Sequence, residues 1–182
     1  MHIISGKYKG HKLSIPKTHI HPTMDRVREA IFSMIRDRLN DAVVLDIFAG
    51  SGSLGLEALS QGAKICHFVD KSFKSINCIE KNLIKLNINN NVKVIKNSTL
   101  NFLTKCNENY YDIIFVDPPY RSKVINDIVK EIFTLNILKQ EGLIVAECRV
   151  DENLSNIKNS YIKTKIYGDT KIFIIKKRIN NE

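Results

Sequence analysis

Val43-Val44-Leu45-Asp46-Ile47-Phe48-Ala49-Gly50-Ser51-Gly52-Ser53-Leu54-Gly55 is the stretch that decides the fold. A β-branched apolar run gives way at once to a glycine loop, and an amphipathic stretch follows, so the reading is strand, tight turn, helix start. Gly50, Gly52 and Gly55 fit the spacing G-x-G-x-x-G. Glycines at these positions let the backbone approach a ligand closely, and the helix N-terminus behind them offers unpaired N–H groups. A glycine-rich turn also occurs with no ligand, so the context has to decide. Asp70 ends the next apolar run, about 20 residues on, where a carboxylate can accept both ribose hydroxyls of an adenosine-type group. A nicotinamide dinucleotide remains formally open. Asp46, two residues before Phe48, separates the two, because a carboxylate facing the loop suits the ammonium of a methionine moiety and repels a pyrophosphate.

Outward from this stretch, short apolar runs keep alternating with longer amphipathic ones, with no internal repeat or low-complexity linker. The pattern predicts strands over 42–47, 64–70, 92–96, 112–117 and 143–148, and helices over 53–61, 72–86, 99–106 and 123–133. In the helix over 72–86, Phe73, Ile76, Ile79, Leu83 and Leu86 form one apolar stripe, read as core. Segments 161–167 and 171–176, separated by Gly168-Asp169-Thr170, read as an antiparallel hairpin. A further helix is expected over 24–38, started by Pro22-Thr23, with Val27, Ile31, Ile35 and Leu39 on one side. Five β/α units ending in a hairpin make an α/β fold: a Rossmann-like, doubly wound, seven-stranded and mostly parallel sheet.

The end of the fourth strand carries the chemistry. Asp117-Pro118-Pro119-Tyr120 follows Ile113-Ile114-Phe115-Val116. A double proline cannot continue the ladder and fixes a rigid turn at the sheet edge where doubly wound folds bind ligands. There Asp117 and the Pro118 carbonyl can both accept from one exocyclic amine. Two acceptors favour a pyramidal nitrogen and aim its lone pair at an electrophilic methyl, while Tyr120 stacks on the base.

Length and charge narrow the classes. The 182 residues suit one compact domain or one domain with a short appendage, and the 43% hydrophobic and 26% charged composition is that of a globular protein. No apolar run is long enough to span a bilayer, and no apolar targeting region follows the N-terminal lysines, so a cytoplasmic protein is expected. Cys66, Cys78, Cys106 and Cys148 are widely spaced and read as free thiols, with no metal site signalled. The net charge of +9 is uneven: residues 1–40 and 155–182 each carry +5, while residues 41–154 carry −1. Basic flanks around a neutral centre suit a polyanion. Lys outnumbers Arg 21 to 7, however, which AT-biased coding would also give. Lys7, Lys9, Lys12 and Lys17 lie in a lead-in with no acidic residue before Asp25.

With these residues in view the chain resembles the class I S-adenosylmethionine-dependent methyltransferases carrying an (N/D)-P-P-(Y/F) motif, and more narrowly the bacterial 16S rRNA guanine-N2-methyltransferase D family. The likeness covers nearly the whole chain. Its specific marks are Ile3-Ile4-Ser5-Gly6-Lys7-Tyr8-Lys9-Gly10, His21-Pro22-Thr23-Met24-Asp25-Arg26-Val27-Arg28-Glu29, and Phe48 through Ala58. The resemblance implies methylation of a guanine N2 in 16S rRNA or the small ribosomal subunit, with S-adenosyl-L-methionine as cofactor and no metal. Under it, residues 1–22 are a basic extension with a small hairpin around Gly6 to Gly10, 23–178 the methyltransferase domain, and 179–182 a tail. A monomer is expected.

The implied catalytic residues are Asp117, Pro118 and Tyr120. Asp46, Phe48, Gly50, Gly52, Gly55, Asp70, Asn97 and Ser98 are implied at the cofactor. Lys7, Lys9, Lys12, Thr23, Arg26 and Tyr120 are implied at the substrate. The chain departs from the family pattern where His21 and Met24 stand in place of Arg and Thr, and where Ser98 stands for an Asp or Asn near the adenine, a place Asn97 could fill. Asp25, Arg28 and Glu29 also fit a merely solvated helix face. Asp117 favours guanine, whose N1–H and N2–H₂ are both donors, although adenine enzymes use Asp as well. Adenine-N6 or protein-glutamine methylation, or a non-catalytic RNA-binding assembly factor on the same fold, are the competing readings.

Overall fold

The computed structural model describes residues 1–16, 25–119, 124–154, 157 and 160–178. Its helices are α1 (Asp25–Ile35), α2 (Ser53–Ser60), α3 (Phe73–Lys85), α4 (Thr99–Leu103) and α5 (Ile125–Thr134). Its strands are β1 (Val43–Ile47), β2 (Ile65–Asp70), β3 (Val92–Lys96), β4 (Tyr111–Val116), β5 (Leu138–Arg149), β6 (Ser160–Tyr167) and β7 (Thr170–Lys177). They form one sheet in the order β3-β2-β1-β4-β5-β7-β6, parallel through β5, with β7 antiparallel to both β5 and β6. The doubly wound sheet with its closing hairpin is the expected fold.

β1 and β4 read as near-continuous apolar runs because both faces of the sheet are covered. Val44, Ile113 and Phe115 join the core beneath α1, α2 and α3. Leu45, Ile47, Ile114 and Val116 join the core beneath α5. Asp46 alone interrupts β1, and it is buried. Ile47 pairs with both Val69 and Val116, so β1, β2 and β4 end level with one another. The chain winds outward from β1 in both directions, which leaves the topological switch point between β1 and β4.

Three elements differ from expectation. β5 begins at Leu138, five residues before the predicted start, because Tyr111 pairs with Leu138 ahead of a register shift. The polar Lys139-Gln140-Glu141 segment hides that start from any apolar pattern. α4 stops at Leu103 rather than 106, since Thr104 to Cys106 close into a turn. Phe73, expected in the core, is 63% exposed. It is the first residue of α3, where the Ser72 hydroxyl accepts the Ser75 N–H, and the face turned to the sheet begins at Ile76. The Lys96 ammonium lies 5.6 Å from the Phe73 ring centroid.

The N-terminus folds back on itself, with His2 bridged to Lys12 and Leu13 N–H donating to the Met1 carbonyl. It packs on the body: Ile3 and Leu13 are core residues, and Gly6 lies so close to α2 that a Cβ there would sit 1.9 Å from the Ser60 carbonyl oxygen. The anchor is Glu57, fully buried, whose carboxylate accepts the Ile4 N–H (2.8 Å), the Ser5 N–H (2.9 Å) and the Gln61 side-chain amide (2.7 Å). No helix among the described residues is long and apolar enough to cross a membrane.

Removing a buried acceptor of two backbone N–H groups costs their desolvation as well as the bonds. Glu57→Ala is expected to lower stability by about 2–4 kcal/mol, with Glu57→Gln intermediate. Urea unfolding measures this, and an unchanged midpoint in Glu57→Ala would show that the hairpin does not depend on that carboxylate.

Candidate active site

The ends of β1, β2, β3 and β4 place Phe48, Asp70, Asn97 and Asp117 along one edge of the sheet. The loop after β1 is tightly held. Ala49 N–H donates to the Val69 carbonyl at 3.2 Å, Gly52 N–H to the Ala49 carbonyl at 2.7 Å, and the Asn82 amide of α3 to the Ser51 carbonyl at 3.0 Å. Phe48, Gly50 and Gly52 take φ of +61°, +57° and +77°. Gly50 and Gly52 adopt such values freely, whereas Phe48 pays roughly 1–2 kcal/mol for a conformation L side chains avoid.

The glycines divide the work. A Cβ on Gly55 would lie 2.3 Å from the Phe68 ring and 2.6 Å from the Cys66 sulfur, so this glycine lets α2 press on β2. A Cβ on Gly52 would meet Ile79 and Phe68 at 3.2 and 3.3 Å. A Cβ on Gly50 would meet, among the described residues, only the Phe48 carbonyl oxygen at 3.8 Å, so no described atom crowds that backbone.

Asp70 turns one carboxylate oxygen to the Gly50 N–H at 2.9 Å and the other to the Ser72 N–H at 2.8 Å, which joins the loop to the start of α3. Asp46, 1% exposed, accepts the Gly55 N–H at 2.9 Å. Burial raises its pKa well above the usual carboxylate value; the Gly55 hydrogen bond opposes this, and the charges of Asp117 and Asp70 add to it. The thiol of Cys66 is pushed up as well, by burial and then by Asp46. Neither Asp46 nor Asp70 forms an ion pair with a described residue. Three carboxylates thus gather around this loop, and the electrostatics favour a ligand that brings positive charge.

Asn97 accepts the Ser98 N–H at 2.9 Å and the Asn101 amide at 2.8 Å, while the Ser98 hydroxyl caps α4 by accepting the Asn101 N–H at 3.3 Å. Asp117 is half-buried, Pro118 buried and Pro119 exposed. Tyr120 and Thr23 lie outside the described residues. Arg26 is exposed on α1. Lys7 and Lys9 stand apart from the carboxylates: the Lys7 N–H donates to the Ser60 carbonyl at the far end of α2, about 10 Å of helix below the glycine loop. Lys12 lies by the end of α3, where the Lys85 ammonium reaches its carbonyl.

Two residues escape the sequence patterns. Glu57 looks like one polar position in a short helix. Arg28 reads as solvated face, yet it is fully buried, its Nη2 donating to the His2 carbonyl at 2.7 Å and to the Asp25 carboxylate. Its Nε and Nη1 have no hydrogen-bond partner among the described residues. The available signal for both was position, since each falls on the apolar side of its helix beside core residues. Among the described residues no group of His, Cys, Asp or Glu is placed to hold a metal ion.

Comparison with known proteins places this geometry. Residues 1–176 match the family described as conserved hypothetical protein 95. The ribosomal RNA small subunit methyltransferase D of Escherichia coli K12 is 35% identical over 156 residues, covering 85% of this chain and 78% of its own. The methyltransferase of the same name from Buchnera aphidicola of Acyrthosiphon pisum is 32% identical over 176 residues, covering 96% and 92%. The solved structure of Escherichia coli yhhF superposes with a TM-score of 0.87 at 32% identity, covering 98% of both chains.

The buried Asp46 carboxyl should reveal itself in the pH dependence of stability. The unfolded chain ionises it near the ordinary 3.8, whereas the folded protein retains the proton to higher pH. The folded state binds more protons in that window, so this group's contribution falls as pH rises from about 4 and levels off above the raised value. Asp46→Asn lacks the effect, and its stability relative to wild type is expected to climb over the same window. Parallel stability curves from urea titrations between pH 4 and 8 would contradict it.

Proposed function

The chain belongs to the small-subunit ribosomal RNA methyltransferase D family, and on that premise we propose that it transfers a methyl group from S-adenosyl-L-methionine to the exocyclic N2 of a guanine in 16S rRNA. The observation that carries the reading is the convergence of Asp46, Asp70 and Asp117 around the glycine loop. Asp46 would hold the ammonium of the methionine moiety, and Asp70, already oriented by two backbone N–H groups, would accept the ribose hydroxyls. Phe48, Gly50, Gly52 and Gly55 shape the loop against it, and Asn97 or Ser98 would meet the adenine. A cluster of carboxylates fits a ligand carrying both ammonium and sulfonium charge. When bound, S-adenosylmethionine supplies an electrophilic methyl on a positively charged sulfur.

The chain's own residues supply orientation. Asp117 and the Pro118 carbonyl accept the two N–H bonds of the guanine amine, which localises the nitrogen lone pair and turns it out of conjugation. No strong base is needed, because the methylated amine is acidic and can give its proton to Asp117 or to water. Tyr120 would stack on the extruded base. Lys7, Lys9, Lys12, Thr23 and Arg26 would contact the RNA, with the lysines reaching phosphates away from the target base. Substrate is 16S rRNA or the small ribosomal subunit, and the protein acts as a cytoplasmic monomer.

Mass mapping of ribosomal RNA from cells with and without the gene tests the substrate: one N2-methylguanine should vanish from the small-subunit RNA, and an unchanged map would overturn the reading. Asp117→Ala should cut methyl transfer by about 10²-fold or more at nearly unchanged cofactor affinity. Asp70→Ala should instead weaken cofactor binding by ~1.5–3 kcal/mol. Calorimetry and single-turnover rates separate the two effects, and wild-type turnover in Asp117→Ala would remove that residue from the mechanism.

A further inference from the structure

Away from the carboxylates, a groove of about 490 Å³ opens between the end of α1 and the β6–β7 hairpin. Its floor is apolar, made by Met34, Leu143 and Ile174, and its rim carries Arg38, Lys163 and Lys176. Tyr161 stands in the rim 68% exposed, and the Arg178 guanidinium lies 5.9 Å from its ring centroid. Asp37 is the acidic residue of the lining, and Arg38 lies 3.8 Å from Glu141. Lys163 and Lys176 form no ion pair with a described residue.

β6 is the edge strand, and its residues from 161 to 167 include no acid. Alternation puts Tyr161, Lys163, Lys165 and Tyr167 on one face, at successive intervals of roughly 6.6 Å. This row climbs about 20 Å, from the groove to the end of β6 beside Thr170 and Arg149. Its upper end is level with the edge that bears Asp117 and three strands from β4, roughly 14 Å across the sheet. The remaining lysines of the hairpin are engaged elsewhere. Lys171 donates to the Glu152 carbonyl, and Lys177 donates to Asn136 and to the Leu138 carbonyl. Among the described residues of the hairpin the remaining positive charge is therefore gathered on one face, with an exposed aromatic ring at its foot.

We propose that this row and groove, Tyr161, Lys163, Lys165, Lys176 and Arg178, form a second RNA-binding surface that holds a phosphate backbone segment leading to the reacting edge. The inference rests on the rRNA methylation reading and adds to it a contact that the N-terminal lysines do not make. Positive side chains on a strand face neutralise successive phosphates, and Tyr161 offers a stacking platform. A second copy of the chain is a poorer occupant. Antiparallel pairing of β6 with β6 about Thr164 would bring Lys163 of each copy opposite Lys165 of the other, and like charges opposite each other repel. Lysines on an edge strand also discourage aggregation, a role that needs no RNA.

The test uses the full chain with small ribosomal subunits or their RNA, comparing wild type with K163Q/K165Q/K176Q and with K163R/K165R/K176R. The glutamine variant is expected to bind more weakly, with a salt slope lower by about 2–3, at ~0.7–0.9 per phosphate neutralised. KM should rise several-fold with kcat unchanged, while the arginine variant keeps the wild-type slope and KM. Tyr161→Ala should weaken binding and Tyr161→Phe should not. Active wild type with equal slopes in all three proteins would overturn this surface alone, as would a β6-dependent dimer in sedimentation. Wild type that neither binds nor methylates the RNA would overturn the methylation reading and this surface together.

Discussion

A carboxylate inside the covered region of a parallel sheet, with no described cation beside it, is the constraint on which the rest of this structure depends. Asp46 occupies a β1 position flanked by fully buried Leu45 and Ile47, and among the described residues it accepts one hydrogen bond, from the Gly55 N–H. A polar group so placed costs stability unless something compensates it. In the free protein burial shifts the carboxyl toward its protonated form, which lessens that cost. In the proposed complex the compensation is the ligand's ammonium. On the proposed reading binding relieves that local cost, and selectivity follows, because an anionic group at the same place would oppose ionisation of Asp46 and meet the charges of Asp70 and Asp117.

The surrounding elements keep that charge where it is. Gly55 allows α2 to close on β2, which brings its N–H to Asp46. Phe48 is held in a left-handed conformation by bonds on both sides of the loop, and Asp70 fixes Gly50 while keeping its own orientation. Glu57 performs a second, separate task on the same helix. Its carboxylate is fully met by backbone and amide donors, so it stabilises by satisfying the hairpin, whereas Asp46 waits for a partner. Two buried acids on neighbouring elements therefore have opposite roles, decided by how many donors each receives.

Much of this could be read in the chain before the fold was known, for reasons that vary by element. β1 and β4 are buried on both faces, so their apolar runs are unambiguous, and the glycine spacing with Asp70 and Asp117-Pro118-Pro119 marks one sheet edge. β5 was harder, since its first residues pair beyond a register shift and carry exposed polar side chains. Phe73 fits a helical period yet lies outside the core, because periodicity says nothing about where a helix first meets the sheet. Glu57 and Arg28 were illegible for a deeper reason: their partners are backbone groups about 53 and 26 residues away, contacts that local patterning does not encode. The basic face of β6 needed the fold as well, since only strand alternation separates Lys163 and Lys165 from the engaged Lys171 and Lys177.

The claim that Asp46 waits for positive charge is open to direct measurement by calorimetry of S-adenosylmethionine binding in buffers of different ionisation enthalpy, at intervals between about pH 5 and 7. In that range an α-ammonium is almost fully protonated on its own, its pKa being ~7.7–8.0. Ionisation of the Asp46 carboxyl on binding must then appear as protons released to the buffer. The account predicts net release in wild type, declining toward higher pH and largely abolished in Asp46→Asn. Binding of equal strength with no proton release at any pH, or with the same release in Asp46→Asn, would contradict it.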